Sequence, residues 1–191
     1  MKNQININIT KLILTAILSL SGSGLYSAQI GGVHFQDVYP STSGNLNIRG
    51  YSILNYMMVI KAYAGALYLK PSVSSDQALS AAPRILELYY FHKISADDFR
   101  ESTIEMIKKN TDSAGFGRIE NQLNAFNAFY RDVVPGDRYR ADYTPENGTT
   151  LYLNGRALGT IKSDEFSKAF FSIWIGKNPI DKKFRDRLLG R

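Results

Sequence analysis

Apolar and polar positions along this chain fall into two rhythms, a period of two in some stretches and a helical period in others. The run LNIRGYSILNYMMVIKAYAGALYL is rich in β-branched and aromatic residues, which predicts a β-hairpin with strands over Leu46–Ile53 and Tyr56–Leu69 and Leu54-Asn55 as the turn. Ahead of it, Gly31–Pro40 reads as one short edge strand ended by proline, and Ser41–Asn45 as a turn. After it come a Pro-Ser linker over Pro71–Ser75, a short helix over Asp76–Ala81 and a strand over Arg84–Ile94. Ser95-Ala96-Asp97-Asp98 has the form of a capping box and opens a helix to about Asn110, along which Phe99, Thr103, Met106 and Asn110 share a face.

Thr111–Gly117 reads as a polar loop with two glycines, Arg118–Arg131 as a second helix, and Pro135-Gly136-Asp137 as a break. Three strands are predicted next, at Arg138–Tyr143, Thr149–Leu153 and Arg156–Ile161, the last two joined by the hairpin signal Asn154-Gly155. Ser163 caps a third helix whose apolar positions Phe166, Ala169, Phe170, Ile173 and Trp174 fall on one stripe, so Trp174 is expected to be buried against the sheet. Gly176 ends that helix, and Lys182–Leu189 forms a final short one. Two hairpins with helices between and after them imply an α+β domain, an antiparallel sheet carrying helices on one face.

Composition changes the picture at the start of the chain. Lys2 and Lys11 lead into an apolar Leu12–Leu20, followed by small residues at Ser21–Gly24 and Ser27-Ala28. This is the pattern of a secretory signal peptide over residues 1–28, leaving one domain over 29–191 in the periplasm or outside the cell. The chain has no cysteine, which removes disulfides, thiolate chemistry and sulfur metal sites together. Two of the lysines behind the formal net charge of +6 lie in the leader, so the mature chain keeps a modest positive excess. That suits anionic small molecules or peripheral contact with an anionic membrane surface and falls short of a nucleic-acid footprint.

Catalytic and metal signatures are absent: there is no HExxH, P-loop, GxSxG or GxGxxG, and the two histidines, His34 and His92, sit on separate predicted strands. His92 follows Tyr89-Tyr90-Phe91 and could serve as one axial ligand to a haem, although a strand-end histidine near solvent is the simpler reading. Arg138-Tyr139-Arg140 fits a half-exposed strand better than a phosphate contact. Two cations, Arg49 and Lys61, interrupt the apolar hairpin. Buried cations are costly without an anionic or polar partner, so they either line a cleft that takes a ligand or face solvent on one side of the sheet.

Four blocks carry a family resemblance: LNIRGYSILNYMMVIKAYAGALYL, PRILELYYFHKISADDF, NGTTLYLNGRALGTI and FSKAFFSIWIGKNPIDKKFRDRLLG. In that order they resemble the bacterial branch of the chalcone isomerase-like proteins, from about Ile30 onward. The resemblance implies a large antiparallel sheet with a layer of helices on one face and a ligand cleft between. The wider family includes plant isomerases that close chalcones to flavanones, fatty-acid-binding proteins, other non-catalytic relatives and haem-binding proteins. Ile48-Arg49-Gly50-Tyr51 matches the V-R-G-L motif whose arginine stabilises the enolate oxygen in the plant enzymes. Twelve residues on, their threonine is replaced by Lys61. Their tyrosine and asparagine correspond to Phe99 and Met106, and the hydroxyl of their penultimate helix falls at Ile173 or beside it at Ser172.

A lone arginine stripped of its polar partners is a poor catalyst, whereas a guanidinium and an ammonium at the head of an apolar cleft make a carboxylate clamp. The expected function is thus non-catalytic binding of a fatty-acid-like carboxylate by Arg49 and Lys61, with Tyr63, Phe99, Met106 and Ile173 as further ligand contacts and no cofactor. An isomerase of the chalcone type and a haem-binding protein are the alternatives.

Overall fold

The computed structural model describes residues 28–41, 44–56 and 60–191. The expected signal peptide lies outside the described residues but for Ala28. Among those described, the strands are β1 (Ala28–Ile30), β2 (Val33–Phe35), β3 (Val38–Tyr39), β4 (Leu46–Tyr56), β5 (Ile60–Leu69), β6 (Arg84–Tyr90), β7 (Arg138–Thr144), β8 (Gly148–Leu153) and β9 (Arg156–Ile161). The helices are α1 (Ala96–Asn110), α2 (Ser113–Asn127), α3 (Asp164–Ile175) and α4 (Lys182–Leu188). Strands β3 to β9 form one curled antiparallel sheet in which every strand pairs with its neighbours in sequence, while β1 and β2 make a separate hairpin.

The sheet carries a packed apolar cluster on each side, and strand alternation sorts its residues between them. On β5, Tyr63, Leu67 and Leu69 join the large core beneath the helices, which we call the inner side. Ala64, Ala66 and Tyr68 join a smaller outer cluster with Val33 and Phe35 of the β1–β2 hairpin. That hairpin corrects the expectation of one strand over Gly31–Pro40. Gly31 and Gly32 both sit at positive φ (60° and 83°) and turn the chain back on itself, a conformation glycine reaches without a Cβ clash.

Four other boundaries differ from the sequence reading. Leu54-Asn55 is paired strand, with Leu54 opposite Tyr63 and Asn55 opposite Lys61, because the core takes up the Leu54 side chain. The connection falls on residues 57–59, outside the described residues. The helix expected over Asp76–Ala81 shrinks to one turn at Ser75–Gln77. Downstream of it, the Arg84 guanidinium takes the carbonyls of Ala78, Ser80 and Ala82, and Pro83 blocks continuation. β6 stops at Tyr90, and Ile94 instead bridges to Val133. Finally, α2 starts five residues earlier than expected, because the Asp112 carboxylate accepts the Gly115 amide at 2.7 Å and caps it ahead of both glycines. The Ser95 capping box, the Ser163 cap and the Asn154-Gly155 turn form as the sequence predicts.

Candidate functional site

Helices α1 and α3 do not close completely on the sheet, and a cavity of about 200 Å³ remains between them. Its sheet wall comes from inward positions of β5 to β8, including Tyr63, Leu88, Tyr90 and Tyr139; antiparallel register sets Tyr63 opposite Tyr90 and Leu88 opposite Tyr139. Its helix wall is Phe99 and Thr103 of α1, Tyr130 just beyond α2, and Phe170, Ile173 and Trp174 of α3. Phe99 sits at the centre of an aromatic group, its ring 5.3 Å from each of Tyr90, Tyr130 and Tyr139. Exposed Asp98 and Ser102, with half-exposed Ile94 and Ile180, mark the mouth.

The polar groups on this wall differ in how much of their hydrogen bonding is already used. Tyr139 is spent, accepting the Arg131 amide and donating to the Arg131 carbonyl. Tyr130 and Thr103 share one bond at 2.8 Å. Tyr63 accepts the Trp174 indole N–H at 3.0 Å, which leaves its own proton uncommitted. The Tyr90 hydroxyl makes no hydrogen bond among the described residues. Burial raises the ionisation of all four phenols above the ordinary tyrosine value, so at neutral pH they are uncharged donors. Asp98 at the mouth is different: hydrogen bonds from the Ser95 side chain and amide hold its carboxyl below the usual range, and it stays ionised.

Of the residues expected to contact a ligand, Tyr63, Phe99 and Ile173 line this cavity. Met106 is buried in the core cluster without being part of the lining. Ser172, the neighbour of Ile173, donates to the Ala169 carbonyl at 2.6 Å and lies on the other side of α3.

Arg49 and Lys61 are not brought together. Arg49 lies at a bulge between Ile48 and Gly50, where α4 packs so closely that a Cβ on Gly50 would meet the Arg187 carbonyl at 2.0 Å. Its guanidinium donates to the Val73 carbonyl. Lys61 lies at the other end of β5. A second bulge makes Ala62 an extra residue on that strand, so Lys61 turns away from Tyr63 and its ammonium stands 5.9 Å from the Phe91 ring, which packs in the outer cluster. Arg49 stands beside Leu67 and Tyr68, six or seven residues from Lys61, or about 20 Å along the strand. One carboxylate cannot bridge both. The residue that faces the cavity where an ungapped count reaches Lys61 is Tyr63.

The haem alternative loses its expected ligand: among the described residues no histidine, lysine or arginine lines the cavity, and His92 is exposed in the bend after β6. Among the described residues no group of acidic or histidine side chains could hold a metal ion, and no helix is long and apolar enough to cross a membrane. The sequence reading missed Tyr90, Tyr130 and Trp174 as site residues. The signal for Tyr90 was its parity with Leu86 and Leu88 on one strand, which places all three on the same side.

No curated protein matches the chain in sequence. Among solved structures, a fatty-acid binding protein of Arabidopsis thaliana shares the fold with a TM-score of 0.67 over 86% of this chain and 96% of its own, at 16% identity. The sequence model of the chalcone isomerase-like family matches residues 27–190. With the antiparallel sheet, the helix layer and the cavity between them, that match over nearly the whole chain establishes that the protein belongs to the chalcone isomerase-like family.

Proposed function

We propose that this protein is a non-catalytic binding protein for a fatty-acid-like amphiphile, exported by virtue of its leader-like first 28 residues. The observation that carries the reading is the cavity itself: walls dominated by aromatic and aliphatic side chains, with two buried phenols, Tyr63 and Tyr90, whose protons are uncommitted. An alkyl chain removes those walls from water, and the ligand's oxygen takes the spare hydrogen bonds. The shared fold with a fatty-acid binding protein supports the same reading.

Two features weigh against an isomerase of the chalcone type. Oxyanion stabilisation needs a donor aimed at the reacting oxygen, and the Arg49 guanidinium is engaged with Val73 at the α4 end of the sheet, away from the cavity. The positions corresponding to the plant enzymes' tyrosine and asparagine are Phe99 and Met106. The reading is tested by calorimetric titration of the purified protein with dodecanoic acid and with a chalcone, following chalcone cyclisation in parallel. Saturable binding of the lipid without acceleration of cyclisation is expected. Arg49-dependent turnover of the chalcone would reject the proposal.

A further inference from the structure

We infer that the cavity holds its amphiphile in an uncharged form: a fatty acid enters as the protonated acid, and a neutral ester or alcohol of the same chain binds as well or better. This rests on the binding reading above and specifies its ligand chemistry.

The groups that surround a bound head come from every wall. From the sheet they are Tyr63, Tyr90 and Tyr139, from beyond α2 Tyr130, and from α1 Ser102, Thr103 and Asp98. β8, α3 and the segment before α4 contribute Leu151, Phe170, Ile173, Trp174 and Ile180, none of them charged. Among the described residues the lining therefore offers no cation, and its one ionised member is the Asp98 carboxylate at the mouth; Asp181 adds a second negative influence on Tyr63. The two cations of the hairpin are engaged elsewhere, Arg49 with a carbonyl and Lys61 over an aromatic ring on the outer side.

An ionised carboxylate moved into such a space loses its hydration and meets no countercharge, whereas a protonated acid, an ester or an alcohol leaves only a dipole to satisfy. Tyr63 and Tyr90 satisfy it. Both are buried phenols with a proton to donate, and their rings stand 5.7 Å apart, so they are neighbours on one wall. Deprotonating either phenol is opposed by burial, which keeps them donors across the physiological range.

The test compares dodecanoic acid, methyl dodecanoate and dodecanol on the full protein by competition against a fluorescent lipid reporter, from pH 5 to pH 8. Above the carboxyl pKa, near about 4–5, the acid's affinity should fall about tenfold per pH unit while the ester and alcohol stay level. Tyr90→Phe, which keeps the ring, should weaken the ester about tenfold at every pH without flattening the acid's slope. Acid binding that is level from pH 5 to pH 8, or tighter than the ester at pH 8, overturns the inference and leaves the binding reading standing. Absence of binding by all three overturns both.

Discussion

The two sides of the sheet treat polar groups in opposite ways, and β7 shows it within one strand. Its outward residues Arg138, Arg140 and Asp142 are charged and paired. Arg138 meets the nearly buried Glu87 at 2.6 Å and the His34 carbonyl at 3.0 Å, while Arg140 meets Asp142 at 2.8 Å and stacks over Tyr39 and Tyr152. Glu87 also accepts the Tyr39 hydroxyl at 2.8 Å, tying β3 to the sheet. The inward residues Tyr139 and Ala141 face the cavity, where no ion pair forms and two phenols keep unused protons. Charges that are all matched stabilise a fold. Donors left unmatched beside an open space are what a ligand can use.

The comparison can be broken by substitutions on either side. The largest effect is expected from Trp174→Ala, which removes a nearly buried indole from the inner core and its bond to Tyr63, and should cost about 3–5 kcal/mol in chemical denaturation. A melting temperature within a degree or two of the parent would mean that α3 does not dock as described. On the outer side, Glu87→Ala strands Arg138 and frees Tyr39. A fully buried pair would lose more, but Arg138 is 30% exposed, so the expected loss is about 2 kcal/mol, with lipid affinity unchanged. A drop in affinity larger than the drop in stability would show that the two sides are coupled.

Tyr90→Phe should give the reverse pattern. Its hydroxyl has no partner to lose, so stability of the empty protein should hold or rise slightly, while affinity for an oxygenated lipid falls about tenfold, or about 1.4 kcal/mol. Equal loss of both would make Tyr90 a structural residue. The smallest effect is expected at Lys61→Met: the ammonium is exposed on the outer side, so both stability and lipid affinity should stay within about 0.5 kcal/mol of the parent. A loss of affinity of several kcal/mol would reinstate it as a ligand group and contradict the placement of the β5 bulge.

Much of the fold was legible because its signals are local. Ser95 and Ser163 cap helices, Asn154 and Gly155 occupy the left-handed region with φ of 50° and 81°, and the parity of Arg138-Tyr139-Arg140 divides charge from aromatic ring. Phe99 and Ile173 enter the site through the family resemblance, as the positions matching the plant enzymes' tyrosine and penultimate-helix hydroxyl, and the structure places both on the cavity wall with Tyr63. The α2 start has a local signal too, the Asp112 cap, but the two glycines that follow it carry the opposite one.

What the sequence by itself determined, then, is which residues alternate, which cap and which turn, because those choices are made by a residue and its near neighbours. Only the tertiary structure decided where the hairpin cations go. The bulge after Ile48 sits where the α4 backbone closes on Gly50, and β5 slips by one residue at Ala62 near the point where Phe184 stands 5.6 Å from the Tyr63 ring. Those contacts join β4 and β5 to a helix more than 110 residues away. A slip of one residue exchanges the two sides of a strand, so a count along the chain points Lys61 into the cavity while the packed sheet points Tyr63 there instead.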